Sequence, residues 1–138
     1  MFCFQCEQTA GGKACGGNVG VCGKKADTAK LQDKLTGSLI GLARATEGNE
    51  HVVSDSTAAV TVEGLFATLT NVNFDNDALL AIMDRVDAEK RKLVPDCYQC
   101  ASACGRNNDY DMQKLWNADE DIRSLKSLIL FGIRGVAA

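Results

Sequence analysis

Cys3, Cys6, Cys15 and Cys22 form a C-x2-C-x8-C-x6-C pattern within the first 22 residues of the chain. Four thiolates in so short a segment can converge on one centre. The intervening glycines, Gly11, Gly12, Gly16, Gly17, Gly20 and Gly23, permit the tight turns that a Cβ would forbid. An all-cysteine set of this kind holds a [4Fe-4S] or [2Fe-2S] cluster, or a tetrahedral zinc ion. Zinc knuckles usually bring two close pairs, whereas here one close pair is followed by two single cysteines. The spacing therefore favours iron-sulfur ligation, with zinc as the alternative. Disulfides fit poorly, because the chain has seven cysteines, an odd number, and opens without a basic and apolar leader.

A second group, Cys97, Cys100 and Cys104, follows the chain's only proline, Pro95, with C-x2-C-x3-C spacing. Three thiolates are one too few for an all-cysteine cubane. Asp109, Asp111, a water or an outside ligand could complete a second cluster and leave an open coordination position. A loop of free thiols and a zinc ion shared with a partner chain are the competing readings. His51, the only histidine, falls in a polar connection and reads as a solvated loop residue.

The elements that must position these residues are helical. Leu31, Leu35, Leu39 and Leu42 share one face of a first helix with Asp27 as its expected cap and Gly48 as its stop. A second helix opens near Ser56 with Val62, Leu65, Phe66 and Leu69 as its apolar face, before the polar break at Asn71 to Asn73. A third starts at Asp75 or Asn76, presents Leu79, Met83 and Val86, and ends in the basic stretch from Lys90 to Lys92, where cations suit a helix C-terminus. About 20 residues around the second cysteine group read as irregular, with Leu115 and Trp116 anchoring them to the bundle. The last helix runs from Asp119 through Ile122, Leu125, Ile129, Ile133 and Val136. Gly37, Gly41, Gly132 and Gly135 fall inside helices, where glycine costs about 1 kcal/mol relative to alanine, so close packing is expected there.

The expected fold class is all-α, a three- or four-helix bundle carrying an N-terminal glycine-rich cluster-binding loop. One domain of 138 residues divides into a cluster loop (1–26), a three-helix bundle (27–93), a second cysteine loop (94–118) and a final helix (119–138). A net charge of −3 argues against a nucleic-acid surface. No apolar run approaches the roughly 20 residues needed to cross a bilayer, so a cytoplasmic protein is expected. Overlaying the first and last helices at an offset of 94 residues pairs Leu35 with Ile129, Leu39 with Ile133 and Leu42 with Val136. The second copy lacks the two helices that follow the first. Its apolar face should therefore fold back on the bundle, or pack against another chain, a second copy or a missing domain.

Several segments resemble the hybrid cluster protein family, also called prismane or hydroxylamine reductase. They are Met1-Phe-Cys-Phe-Gln-Cys-Glu-Gln-Thr-Ala10, Val19-Gly-Val-Cys-Gly23, the helix start Leu31-Gln-Asp33, Gly64-Leu-Phe-Ala-Thr-Leu-Thr-Asn-Val-Asn73, Glu120-Asp-Ile-Arg-Ser-Leu125 and Gly132-Ile-Arg-Gly-Val-Ala-Ala138. The resemblance implies a helical first domain in which Cys3, Cys6, Cys15 and Cys22 hold a [4Fe-4S] cluster, or in some members a [2Fe-2S] cluster, that feeds electrons to a buried hybrid cluster. The last spacing is x6 where a common family pattern has x5. The ligands of the hybrid cluster lie in later domains of the family, absent from this chain. An electron-transfer domain is thus expected, working with a redox partner or the missing catalytic domains. A reductase fragment and a zinc-stabilised interaction module are the alternatives. Lys24 and Lys25 would either stabilise added electrons on the cluster or merely solvate the loop.

Overall fold

The computed structural model describes residue 3 and residues 5–6, 15–95 and 109–138. The expectations for Cys97, Cys100 and Cys104 lie outside the described residues. Those residues form five α-helices: α1 (Ala26–Thr46), α2 (Asp55–Ala67), α3 (Asn76–Leu93), α4 (Met112–Trp116) and α5 (Glu120–Ala137). A 3-10 turn, Glu50–Val52, carries His51 on the surface. Isolated bridges occur, but no strand forms among the described residues, so the all-α expectation holds.

The helices start where side chains can satisfy their free N–H groups. Ser54 Oγ accepts from the Thr57 N–H at 3.3 Å to open α2. The Asp75 carboxylate accepts from Asp77 and Ala78 at 2.9 and 3.1 Å to open α3. The cap lies two residues before the expected Asp27: Lys25 occupies the cap of α1 without a side-chain bond, and Asp27 instead accepts from the Thr28 N–H and from Asn76 of α3. The chain leaves α1 through Gly48 at φ +75°, as a helix stop requires.

Leu35, Leu39 and Leu42 of α1 meet Leu79, Ile82 and Val86 of α3 in one core, which Val60 and Ala67 of α2 complete. The face expected for α2 is the wrong one in part: Val62 and Phe66 are about half exposed. The helix turns its small residues inward instead. A Cβ added at Gly64 would stand 2.9 Å from Leu39 Cδ2, so glycine sets how closely α2 approaches α1. Within α1, Gly37 has a similar reason, since an added Cβ would lie on the carbonyl oxygen of Tyr110, whose N–H donates to the Gly37 carbonyl at 3.0 Å. At Gly132 and Gly135 an added Cβ would meet nothing within 4 Å among the described residues.

The segment after residue 108 is less irregular than expected, because Asp111 caps the short α4 by accepting from the Gln113 N–H at 3.0 Å. Leu115 and Trp116 are buried there with Met112, as anchors of this segment. Helix α5 does fold back, packing on α2 and α4, but it does so through Arg134 rather than its apolar face. Arg134 is 3% exposed and donates to Thr68 and Thr36, both at 3.0 Å. Leu125, Leu128, Ile129 and Val136 remain 60% exposed or more.

Glu89 closes the open end of α2 against α3. Its carboxylate accepts from Thr57 at 2.8 Å, Ser56 at 3.0 Å and Lys92 at 2.6 Å. The Lys92 bond chiefly, with the two hydroxyls, holds its pKa below the ordinary 4.5. A carboxylate with a depressed folded-state pKa contributes stability above its unfolded value and loses it as pH falls through the folded one. Glu89→Gln should therefore lose stability relative to the parent at pH 7, and the gap should narrow as pH drops below about 4.5, measured by urea unfolding across pH. In the same assay Leu39→Ala should cost about 2–5 kcal/mol. Leu128→Ala, on the exposed face, should change stability by less than about 0.5 kcal/mol.

Candidate metal centre

The loop before α1 is folded by two short backbone pairings. Cys15 and Cys3 pair antiparallel, the Cys15 N–H donating to the Cys3 carbonyl at 3.2 Å. Val19 and Lys25 form the second bridge, and the Gly20 N–H donates to the Lys24 carbonyl at 2.7 Å. Between them the chain reverses with Gly23 at φ +86°, a conformation side chains rarely adopt. This turn carries Cys22 at its tip.

All four sequence-predicted cysteines consequently line one cavity of about 580 Å³, together with Gln5, Lys24, Thr70 and Phe131. Each is a free thiol. Cys3 is buried, Cys6 and Cys15 are half-buried and Cys22 is exposed. Burial pushes the Cys3 thiol above its ordinary pKa of 9.0, opposed by the Gln5 backbone N–H and the Lys24 charge. The cavity is a cradle a Cβ would enter: one added at Gly20 would stand 3.5 Å from the Cys22 sulfur and 3.7 Å from that of Cys15. No three Cys, His, Asp or Glu side chains among the described residues stand close enough to hold a single metal ion. The four thiols line the cavity together, and an all-cysteine donor set of this size fits an iron-sulfur cluster.

The rest of the fold holds this loop in place through polar contacts. Thr70, in the turn after α2, donates to the Gln5 carbonyl at 2.8 Å, and its neighbour Asn71 takes the left-handed conformation at φ +62°. Lys24 Nζ donates to Gln5 Oε1 at 2.8 Å and lies 5.5 Å from the centre of the Phe74 ring. Gln5 Nε2 donates to Asp33 Oδ1 at 3.4 Å, and the Trp116 indole donates to Asp33 Oδ2 at 3.0 Å. Asp33 is 8% exposed, and burial raises its pKa despite these bonds and the charges of Arg134 and Lys24.

Sequence reasoning missed Gln5, Asp33 and Arg134. The available signals were Gln5 lying between the first two cysteines and Asp33 falling four residues after the buried Ala29, on a face of α1 that should be apolar. Of the carboxylates considered for the second cysteine group, Asp109 pairs with Lys90 at 2.6 Å and Asp111 caps α4. No helix among the described residues is long and apolar enough to cross a membrane.

The class that fold and site define is a helical bundle whose N-terminal loop gathers four cysteines on one cavity. Comparison with known proteins gives its lineage: a model of the Prismane/CO dehydrogenase family matches residues 1–137, and the chain belongs to that family. It is 41% identical to a hydroxylamine reductase of Methanocella arvoryzae, covering all of this chain and 29% of that protein. Hydroxylamine reductases of Maridesulfovibrio salexigens and Clostridium perfringens are 36% and 38% identical, again over the whole chain and 28% and 29% of theirs. The chain thus spans under a third of the length of these relatives.

The cradle predicts a steric effect. Gly20→Val should lower bound iron at least several-fold while far-ultraviolet circular dichroism stays that of the parent, since the branched side chain enters the space between Cys15 and Cys22. Metal analysis after reconstitution checks it.

Proposed function

We propose that Cys3, Cys6, Cys15 and Cys22 hold a [4Fe-4S] cluster and that the chain is an electron-transfer unit of a hydroxylamine reductase-like protein. The observation that carries this reading is the convergence of all four thiols on one cavity, with Cys3 buried and Cys22 exposed. When bound, a cluster of this kind stores and releases a single electron. The protein's part is to hold it by four thiolates, to shield its inner side with α1 and the Thr70 turn, and to leave the Cys22 edge near solvent for a redox partner. A [2Fe-2S] cluster would use the same four ligands. Free thiols suit a reducing cytoplasm.

The enzyme reading is supported by the three hydroxylamine reductases, each over three times the length of this chain's match. On that reading the remaining catalytic domains would cover the apolar face of α5. The corresponding face of α1 is covered by α2 and α3, and Leu35, Leu39 and Leu42 are buried where Ile129, Ile133 and Val136 stand exposed. A self-associating pair of α5 helices is the competing occupant, and the two differ in oligomeric state by light scattering.

Iron, zinc and acid-labile sulfide per chain after anaerobic purification, with an EPR spectrum of the dithionite-reduced protein, test the proposal. About four irons, matching sulfide and a reduced signal lost in Cys15→Ser are expected. Two irons would replace the cubane by a [2Fe-2S] centre, and a count clearly above four would place a second cluster at Cys97, Cys100 and Cys104. Zinc without sulfide would overturn electron transfer in favour of a zinc-stabilised module. Hydroxylamine reduction should be absent from this chain alone.

A further inference from the structure

Two cations are buried around the cysteine cavity, and neither makes an ion pair among the described residues. Lys24 is 2% exposed, lines the cavity and has Gln5 Oε1 as its hydrogen-bond acceptor. Arg134 is 3% exposed and spends its hydrogen bonds on two threonine hydroxyls. Among the described residues the buried carboxylate nearby is Asp33, which is bonded to Gln5 and Trp116 rather than to either cation. Of these three buried groups, then, two are cations and one is a carboxylate.

Burying an uncompensated cation is costly, and the usual outcome is a partner of opposite sign. A four-thiolate cluster is anionic, and the cavity that Lys24 lines is where it would sit. Lys25 is next in sequence but exposed at the start of α1, so solvation of the loop describes Lys25 and not Lys24.

Resting on the cluster assignment above, we propose that Lys24 is the buried counter-charge that sets the cluster's reduction potential, with Gln5 and Asp33 as the residues that position it. Gln5 is fixed at both ends: its Oε1 accepts from Lys24, its amide nitrogen donates to Asp33, and its carbonyl is held by Thr70. Asp33 in turn is held by Trp116. The ammonium is thereby kept beside the cysteines rather than free to swing to solvent. Reduction adds one electron to an already anionic centre, so a fixed cation in a region of low dielectric favours the reduced form, and a fixed carboxylate disfavours it.

The sign of the effect separates this role from packing. Lys24→Met and Asp33→Asn, made in the full chain and reconstituted, are titrated at pH 8 with EPR detection, and iron and sulfide are counted on the same samples. Lys24→Met should lower the reduction equilibrium constant at least tenfold, about 59 mV for one electron. Asp33→Asn should raise it, and Lys24→Arg should stay close to the parent. If Lys24→Met fails to retain a cluster, the Lys24→Arg and Asp33→Asn titrations still carry the test. An unchanged potential in fully loaded Lys24→Met, or a potential that falls in Asp33→Asn, would overturn the inference. A parent chain without iron and sulfide would overturn the cluster assignment itself.

Discussion

The carboxylate of Asp33 is approached from two sides, by the Gln5 amide of the cysteine loop and by the Trp116 indole of α4. Three parts of the chain that lie far apart in sequence meet on this one side chain of α1. Among the described loop residues Cys3 is the buried apolar side chain while Val19 and Val21 stand exposed, so hydrophobic burial does little to define their position. Directional bonds must do so. Removing the carboxylate would take this acceptor from the buried Trp116 indole and the buried Gln5 amide, and the loss of such a buried bond costs about 1–3 kcal/mol. The constraint therefore lies outside the loop that supplies the ligands, in the middle of a helix whose other inward residues are mostly apolar or small.

That arrangement explains what was legible in the sequence. The helix-forming periodicity of Leu35, Leu39 and Leu42, and of Leu79 and Val86, reports burial directly, because an apolar side chain gains by facing a core wherever one exists. The cysteine spacing with its glycines likewise points to one ligand set, and the four thiols do line one cavity. Gln5, Lys24, Asp33 and Arg134 were not legible as a group. A polar residue on a helix reads as solvent-facing, and only the tertiary arrangement reveals that its partners come from residues as far apart as Asp33 and Trp116. The five-residue α4 escaped notice for a different reason: too short for a helical period, it depends on the Asp111 cap and on burial of Leu115 and Trp116.

Helix α5 shows where periodicity misleads. Its apolar stripe is the strongest sequence signal in the last third of the chain, yet the residue it buries is Arg134. A stripe says that a face is apolar; it says nothing of which chain or segment covers it. The side of α5 that meets α2 is chosen instead by the two hydroxyls, Thr36 and Thr68, that can receive a guanidinium.

The same Arg134 links the two ends of the chain. A guanidinium taken from water and given only neutral acceptors retains most of its desolvation cost, and hydroxyl oxygens offset little of the charge. Burial disfavours the ionised guanidinium, and Asp33 is the carboxylate among the described residues whose charge opposes that effect. Cys3, once ionised as a cluster ligand must be, would add to the opposition. Because α5 also contributes Phe131 to the cavity wall, the proposed cluster would meet this helix twice, through the ring at the cavity and through the charge that Arg134 feels, and its binding would then favour the docked helix.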